Sequence, residues 1–381
     1  MIKRNIVSFL LTILIAFMFL ACSSTGVGDG SNTTPVPPEP VSKWSTEVVT
    51  DGEYHTGIAV DSDGKVHISC YDDAGLIYAG GRSTDWHITL LDTTPDYVGE
   101  GNDVSVGPDK LPQISYLAST TEVRLARLIG TNWNITTVDT GGHFGPSTAI
   151  AVDVYNRPHV VYYDEQDGFL KYAVLDGDTW TRENVAKLDN WDQQVDIAVD
   201  SSGRPHISYQ GYAYPNWSVK YATRTAGGWQ TTTVDADGNL SEPSIAVDTA
   251  GTPHLSYTLF NHNTVTDTYA SALKYAVRKG SGWEITTVDV GRDMGNTSTL
   301  NNSSIAVDSA GHVHISYRDA FDLSLKYAYN DGTSWSKVTV DKIGLIMDVS
   351  WQTKIAVDGQ NRPHISYFDG SHGKLMYSHK K

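Results

Sequence analysis

The chain has 381 residues and a formal net charge of −16, with 44 acidic residues against 28 Lys and Arg. That length suits one large domain or two ordinary ones. The acidic balance argues against nucleic acid and against polyanionic polysaccharides, because a like-charged surface repels both unless a cation bridges.

In chain order, residues 1–22 read as a leader outside the fold. Lys3 and Arg4 precede an apolar run from Ile6 to Leu20, and Ala21 and Cys22 follow. A charged start, an apolar stretch and a small residue before the cut define a secretory signal. The "FLAC" at its end resembles a bacterial lipobox, with Phe19 where that motif usually has Leu. The resemblance implies export, lipidation of Cys22 and anchoring to the cell envelope without a membrane span. Ser23, rather than Asp, after the Cys favours the outer membrane on the same resemblance. Residues 23–42, "SSTGVGDGSNTTPVPPEPVS", are small, polar and Pro-rich, which makes them a flexible spacer. The folded domain is then 43–381. Its one cysteine is Cys70, so its core and not a disulfide must stabilise it.

The domain is a repeat. "IAVD"-like words end at Asp61, Asp153, Asp200, Asp248, Asp308 and Asp358, and a degenerate copy, "VSVG", ends at Gly107. Each copy continues into "HISY"-like and "LKYA"-like segments and then a Trp with "TTVD"-like alternation. The segments are rich in Val, Ile, Thr and Tyr and alternate with period two, so they read as strands a, b, c and d. Four strands per repeat of this length make the blade of a β-propeller. There are seven a, seven b and seven c strands but six d strands after a c strand. The missing one stands at the front, "WSTEVVTD" at 44–51, and should pair with 373–379. The fold class is therefore all-β, a seven-bladed β-propeller of four-stranded blades closed by the N-terminal strand.

The a–b turn has constant length, and Gly64, Asn156, Gly203, Gly251, Gly311 and Asn361 stand where positive φ is needed. Lys110 breaks that pattern in the second blade. The repeated histidines His67, His159, His206, His254, His314 and His364 are spread one to a blade. They do not converge, so no metal is expected. Each should instead hydrogen-bond within its blade, in the vicinity of the repeated Asp. The seven repeat tryptophans at the start of strand d are expected in the core.

The spacing from the b-strand His (or Gln113) to the c-strand Tyr (or Leu125) runs 11, 12, 13, 15, 21, 13 and 13. The d–a connections also vary, while the a–b and c–d turns do not. All length variation thus falls on one face, where a rigid scaffold would present a binding site. Three tryptophans outside the repeat, Trp191, Trp217 and Trp351, lie in loops of that face, with Tyr212 and Tyr214 in "YQGYAYPNWS". Flat rings with polar edges suit sugar faces and protein hot spots alike.

The hairpins "DGDTW" at 176–180 and "NDGTSW" at 330–335 resemble the Asp-box of sialidase-like propellers, shortened by the residue between Asp and Gly. A sialidase needs three arginines to grip its substrate carboxylate, and the variable face offers only Arg292 and Arg318, of which Arg318 joins the aromatic residues as a candidate ligand contact. A glycoside hydrolase needs two carboxylates, for which Asp103, Asp196 and Asp319 are candidates. A lyase needs a base, for which His55 beside Tyr54, or His143, would serve. There is no P-loop, Rossmann glycine pattern or CxxC pair, so no cofactor is expected. The sequence reading is a monomeric, surface-anchored module that binds a glycan or a protein. The alternatives are a carbohydrate-active hydrolase or lyase on the same face, and an envelope scaffold.

Overall fold

The computed structural model describes residues 44–51, 53–82, 85–93, 98–187, 194–213, 216–263, 268–292, 300–343 and 352–381. The leader, Cys22 and the spacer lie outside the described residues. Among the described residues, twenty-eight strands form seven four-stranded antiparallel sheets. In six sheets the order is a-b-c-d along the chain. In the seventh, the strand Trp44–Asp51 takes the d position beside Lys374–Lys380, in register from Trp44↔Lys380 to Asp51↔Lys374. The ring therefore closes by hydrogen bonding between the two ends of the domain.

The a strands are innermost. They are Glu53–Val60, Glu100–Val106, Phe144–Val152, Val195–Val199, Asn239–Val247, Leu300–Val307 and Thr353–Val357. Each packs against its two neighbours around the axis, the last against the first. Burial follows position: b strands such as Pro158–Asp164 are wholly buried, while d strands such as Asn132–Thr140 are mostly exposed. Seven clusters of buried Ile, Leu, Val and Tyr, such as Leu325, Ile355, Ile365 and Tyr367, fill the seams between blades. Burying these apolar surfaces supplies the main stabilisation.

The repeated polar words are wiring within and between blades. In the first blade, Tyr78 Oη donates to His67 Nδ1 at 2.8 Å, and His67 Nε2 faces Asp61 Oδ2 at 3.4 Å. Asp61 Oδ1 meanwhile accepts the amides of Asp63 and Lys65 and so shapes the a–b turn. The same arrangement recurs at His206, His254, His314 and His364. His159 has it too, with Tyr172 and Asp153. The ring nitrogens of these histidines thus face groups of their own blades, although His159 Nε2 lies near Asp153 without a hydrogen bond. Among the described residues, no group of three or more His, Cys, Asp or Glu could hold a metal ion.

A second link crosses blades. The b-strand tyrosines Tyr116, Tyr162, Tyr257, Tyr317 and Tyr367 donate to Asp92, Asp139, Asp235, Asp289 and Asp341, each at the end of the preceding blade's d strand. The repeat tryptophans, expected in the core from sequence, are only partly buried and pack against the seam clusters. They are half-buried on the outer strand, and most stand edge-on to the c-strand Tyr of the preceding blade. Trp86 meets Tyr377 at 5.2 Å and Trp44 meets Tyr327 at 5.0 Å, so the closing strand makes the same contact as the others.

The turn residues take φ between 61° and 84°, from Asn361 to Gly311. Lys110 adopts φ 63° as well, so the turn geometry overrides its side-chain preference.

Candidate functional site

The inner edge of each a strand faces the axis and lacks a fifth strand to pair with. Its amides must find acceptors elsewhere. In four blades the residue just before the "IAV" word supplies one to the next blade, while the third blade has Ala149 there. Asp103 Oδ2 accepts Ile150 N at 3.2 Å, and Asp196 Oδ2 accepts Ile245 N at 2.9 Å and Ser244 Oγ at 2.7 Å. Ser244 and Ser304 do the same for Ile305 and Ile355. In the first blade this position is Gly57, where a Cβ would stand 2.7 Å from Val104 N. In the last blade it is Lys354, which cannot accept.

Lys354 is the cation of the axis. Burial alone would lower its pKa, but the carboxylates of Asp196 and Asp103 outweigh this and raise it. Burial pushes Asp103 up to about 6, against the pull of Lys354 and with the help of Asp196.

Two residues further out, the chain forms a ring that is not repeated. The position three before the repeated Ile or Val is His55, Gly101, Ser147, Gln194, Glu242, Asn302 and Gln352. All seven line one cavity of about 60 Å³, at the end of the axis where the variable d–a connections enter. A water needs roughly 10–15 Å³ on this measure, so the space takes a few waters or the tip of a ligand but no sugar ring. His55 is 8 % exposed and Asn102, one position inward from Gly101, is 3 % exposed. His55 Nδ1, Asn102 Oδ1 and Gln194 Oε1 are buried without a hydrogen-bond partner. Burial pushes His55 down to about 4, with Lys354 acting the same way, so its ring is neutral.

Backbone strain gathers at the same ring. Glu242 and Asn302 have φ of 58° and 52°, where the second blade uses Gly101 at 59°. Glu242 Oε2 accepts the Asn302 amide and, at 3.3 Å, Thr258 Oγ1. Burial raises the Glu242 pKa, while these bonds and the nearby Arg318 charge oppose it. Left-handed non-glycine residues of this kind collect at functional sites.

The structure brings His55, Asp103 and Asp196 together at the axis and places Arg318 beside Glu242. Asp319 lies elsewhere, in a b–c turn, with Oδ2 2.5 Å from Lys326 Nζ and Oδ1 accepting two turn amides. Asp164 occupies the equivalent turn in the third blade with Lys171, so this pairing belongs to the repeat. Tyr212 and Trp217 face each other across the fourth blade's b–c hairpin, their ring centres 5.0 Å apart. The hairpin is tied to the fifth blade by Asn239 Oδ1, which accepts Trp217 N at 3.4 Å. Trp191, Tyr214 and Trp351 lie outside the described residues. His143 is on the variable face, half-exposed, with Nδ1 2.7 Å from Glu165 Oε2. Asn102, Gln194, Glu242, Asn302 and Lys354 went unrecognised in the sequence. Aligning the residues just before each "IAV" would have shown polar variety there beside an otherwise constant word.

No protein-family model and no curated protein matches the chain. Solved structures match in fold. An ulvan lyase from a new polysaccharide lyase family, bound to GlcA(1-4)Rha3S units, has a TM-score of 0.57 at 10 % identity over 86 % of this chain and 94 % of its own. AofleA from Arthrobotrys oligospora has a TM-score of 0.51 at 14 % identity, covering 75 % of this chain and 83 % of its own. SapL1 lectin, in complex with alpha methyl fucoside, is similar with a TM-score of 0.48 at 14 % identity, over 77 % and 98 %. The likeness to the ulvan lyase and to AofleA is one of fold.

Proposed function

We propose that this protein is a glycan-binding propeller whose ligand lies across the mouth of the axis on the variable face. One observation carries the reading: seven non-repeated residues converge on a cavity in which buried polar atoms lack partners. A stable fold satisfies such atoms unless something else is meant to meet them. The half-buried Tyr212–Trp217 pair on the same face would offer rings to a sugar. A similar propeller bound to a saccharide supports a glycan over a protein as ligand class. Asp103 and Asp196 are engaged as acceptors for the next blade's amides, which favours binding over hydrolysis.

The test is affinity electrophoresis of the full chain in gels containing neutral or acidic polysaccharides. Retardation by a polymer, weakened by Trp217→Ala, is expected. Free migration in every gel would overturn the reading and direct the search to a protein partner in envelope extracts. A lyase reading rests on the His143–Glu165 pair, in which a carboxylate orients an exposed imidazole. A polymer that retards the wild-type protein but is not cleaved by it would exclude the lyase.

We further propose that Cys22 is lipidated, with 23–42 as the tether to the outer membrane, on the basis of "FLAC" and Ser23. Mass spectrometry of the N-terminal peptide from membranes would detect the acyl groups, and an unmodified Cys22 would refute this. The c–d hairpins we take as degenerate Asp-boxes. Asp331 supports this by accepting the Thr333 and Ser334 amides.

A further inference from the structure

We propose that the mouth of the axis is a socket for the exocyclic hydroxymethyl group of a neutral hexose. This rests on the glycan reading above and adds the class of sugar. The size comes first: about 60 Å³ admits a CH2OH tip while its ring stays outside. The hydrogen-bond inventory comes second. Asn102 Nδ2 donates to Gly99 O at 2.8 Å and His55 O at 3.3 Å, which fixes the amide and leaves Oδ1 as a buried acceptor without a partner on a residue that lines the cavity. Gln194 Oε1 is a second acceptor without a partner. His55, held neutral, offers Nδ1 as donor or acceptor according to its tautomer. A hydroxyl both donates and accepts, so it can satisfy an amide oxygen and the imidazole together. A carboxylate at the same position only accepts. It would face Asn102 Oδ1 and Gln194 Oε1 oxygen to oxygen.

Charge points the same way. Asp196, Glu242 and Lys354 line the cavity, and the charge of Lys354 is already balanced by the carboxylates of Asp196 and Asp103. A uronate would add an anion beside Asp196 and Glu242, whose charges Lys354 and Arg318 already balance. A pentose such as xylose has no C6 and would leave the acceptors unmet. The socket therefore selects neutral hexoses against both uronates and pentoses, unlike the acidic saccharide held by the ulvan lyase of similar fold.

The test compares sugars matched except at C6. Calorimetry of the full chain would use cellohexaose against xylohexaose, and mannohexaose against the mannuronate hexamer. In whichever hexose series binds, the partner lacking CH2OH should bind at least tenfold more weakly. Gln194→Met, close in shape but without the acceptor, should weaken the hexose about fivefold and leave the weak pentose unchanged, the size of one lost neutral hydrogen bond. Equal affinity within both pairs, or a Gln194→Met chain that binds hexose as wild type does, overturns the socket while leaving glycan binding intact. No binding by any hexamer or polymer overturns the glycan reading, and the socket with it. Unchanged thermal unfolding of Gln194→Met would show that its loss of binding is local.

Discussion

Replacing Tyr257 by Phe removes one atom and tests the link between blades. Tyr257 Oη donates to Asp235 Oδ2 at 2.9 Å, and both residues are buried. The other carboxylate oxygen is occupied by the Asp237 amide at 3.0 Å. The substitution leaves no cavity, so its cost is that of a hydrogen bond to a charged acceptor, about 2 kcal/mol. The fold carries its own control. In the fourth blade the equivalent tyrosine, Tyr209, has Ala186 where the other five have Asp, and its hydroxyl meets Thr231 instead. Tyr209→Phe should therefore cost only a neutral bond, about 1 kcal/mol or less. Urea unfolding followed by tryptophan fluorescence measures both. With an m-value of about 2 kcal/mol/M, the midpoint should fall by about 1 M for Tyr257→Phe and by half that or less for Tyr209→Phe. Equal losses, or a larger loss at Tyr209, would show that the carboxylate is not what the tyrosine holds.

Two further outcomes follow from the repeat. Burial pushes His67 down to about 4, and its counterparts in five other blades are lowered for the same reason. A histidine with a depressed folded pKa stabilises fully above its unfolded value near 6.5 and loses that contribution as pH falls toward 4, for His67 by roughly 3 kcal/mol. Asp200 and Asp358, drawn to about 2 by their turn hydrogen bonds despite burial, add a second loss below pH 4, while Asp103 acts oppositely through about 6. The urea midpoint should therefore drop between pH 7 and 4.5, and less steeply in His67→Gln, since the second blade already uses Gln113 at this position. A flat profile would refute the buried-histidine account. At Lys110, φ of 63° strains a residue whose side chain pairs with the exposed Asp63, 2.8 Å away. Lys110→Gly should raise stability by about 0.5–1 kcal/mol, because relief of left-handed strain exceeds the loss of a surface ion pair and the added freedom of the unfolded chain. A lower melting temperature would contradict this.

Much of the architecture could be read from sequence because it is made of short-range patterns. Period-two alternation marked the strands, constant turn lengths marked one face, and the spare "WSTEVVTD" at the front marked the closure. The turn glycines and asparagines announced positive φ, and the His six residues after each Asp announced a bond within the blade. Each of these is decided by neighbours along the chain or across one hairpin. Only the tertiary structure decided what stands at the axis. Asp103 and Ile150, or Asp196 and Ile245, are nearly fifty residues apart and meet because the ring sets each inner strand beside the next. The tryptophans were apolar enough for a core, yet the radius of the ring places them at the outer seam. His55, Asn102, Gln194, Glu242 and Lys354 come from five different blades and share no motif. Closure of the ring brings them to one cavity, because each inner strand must start at the same end of the axis and leave its first side chains there.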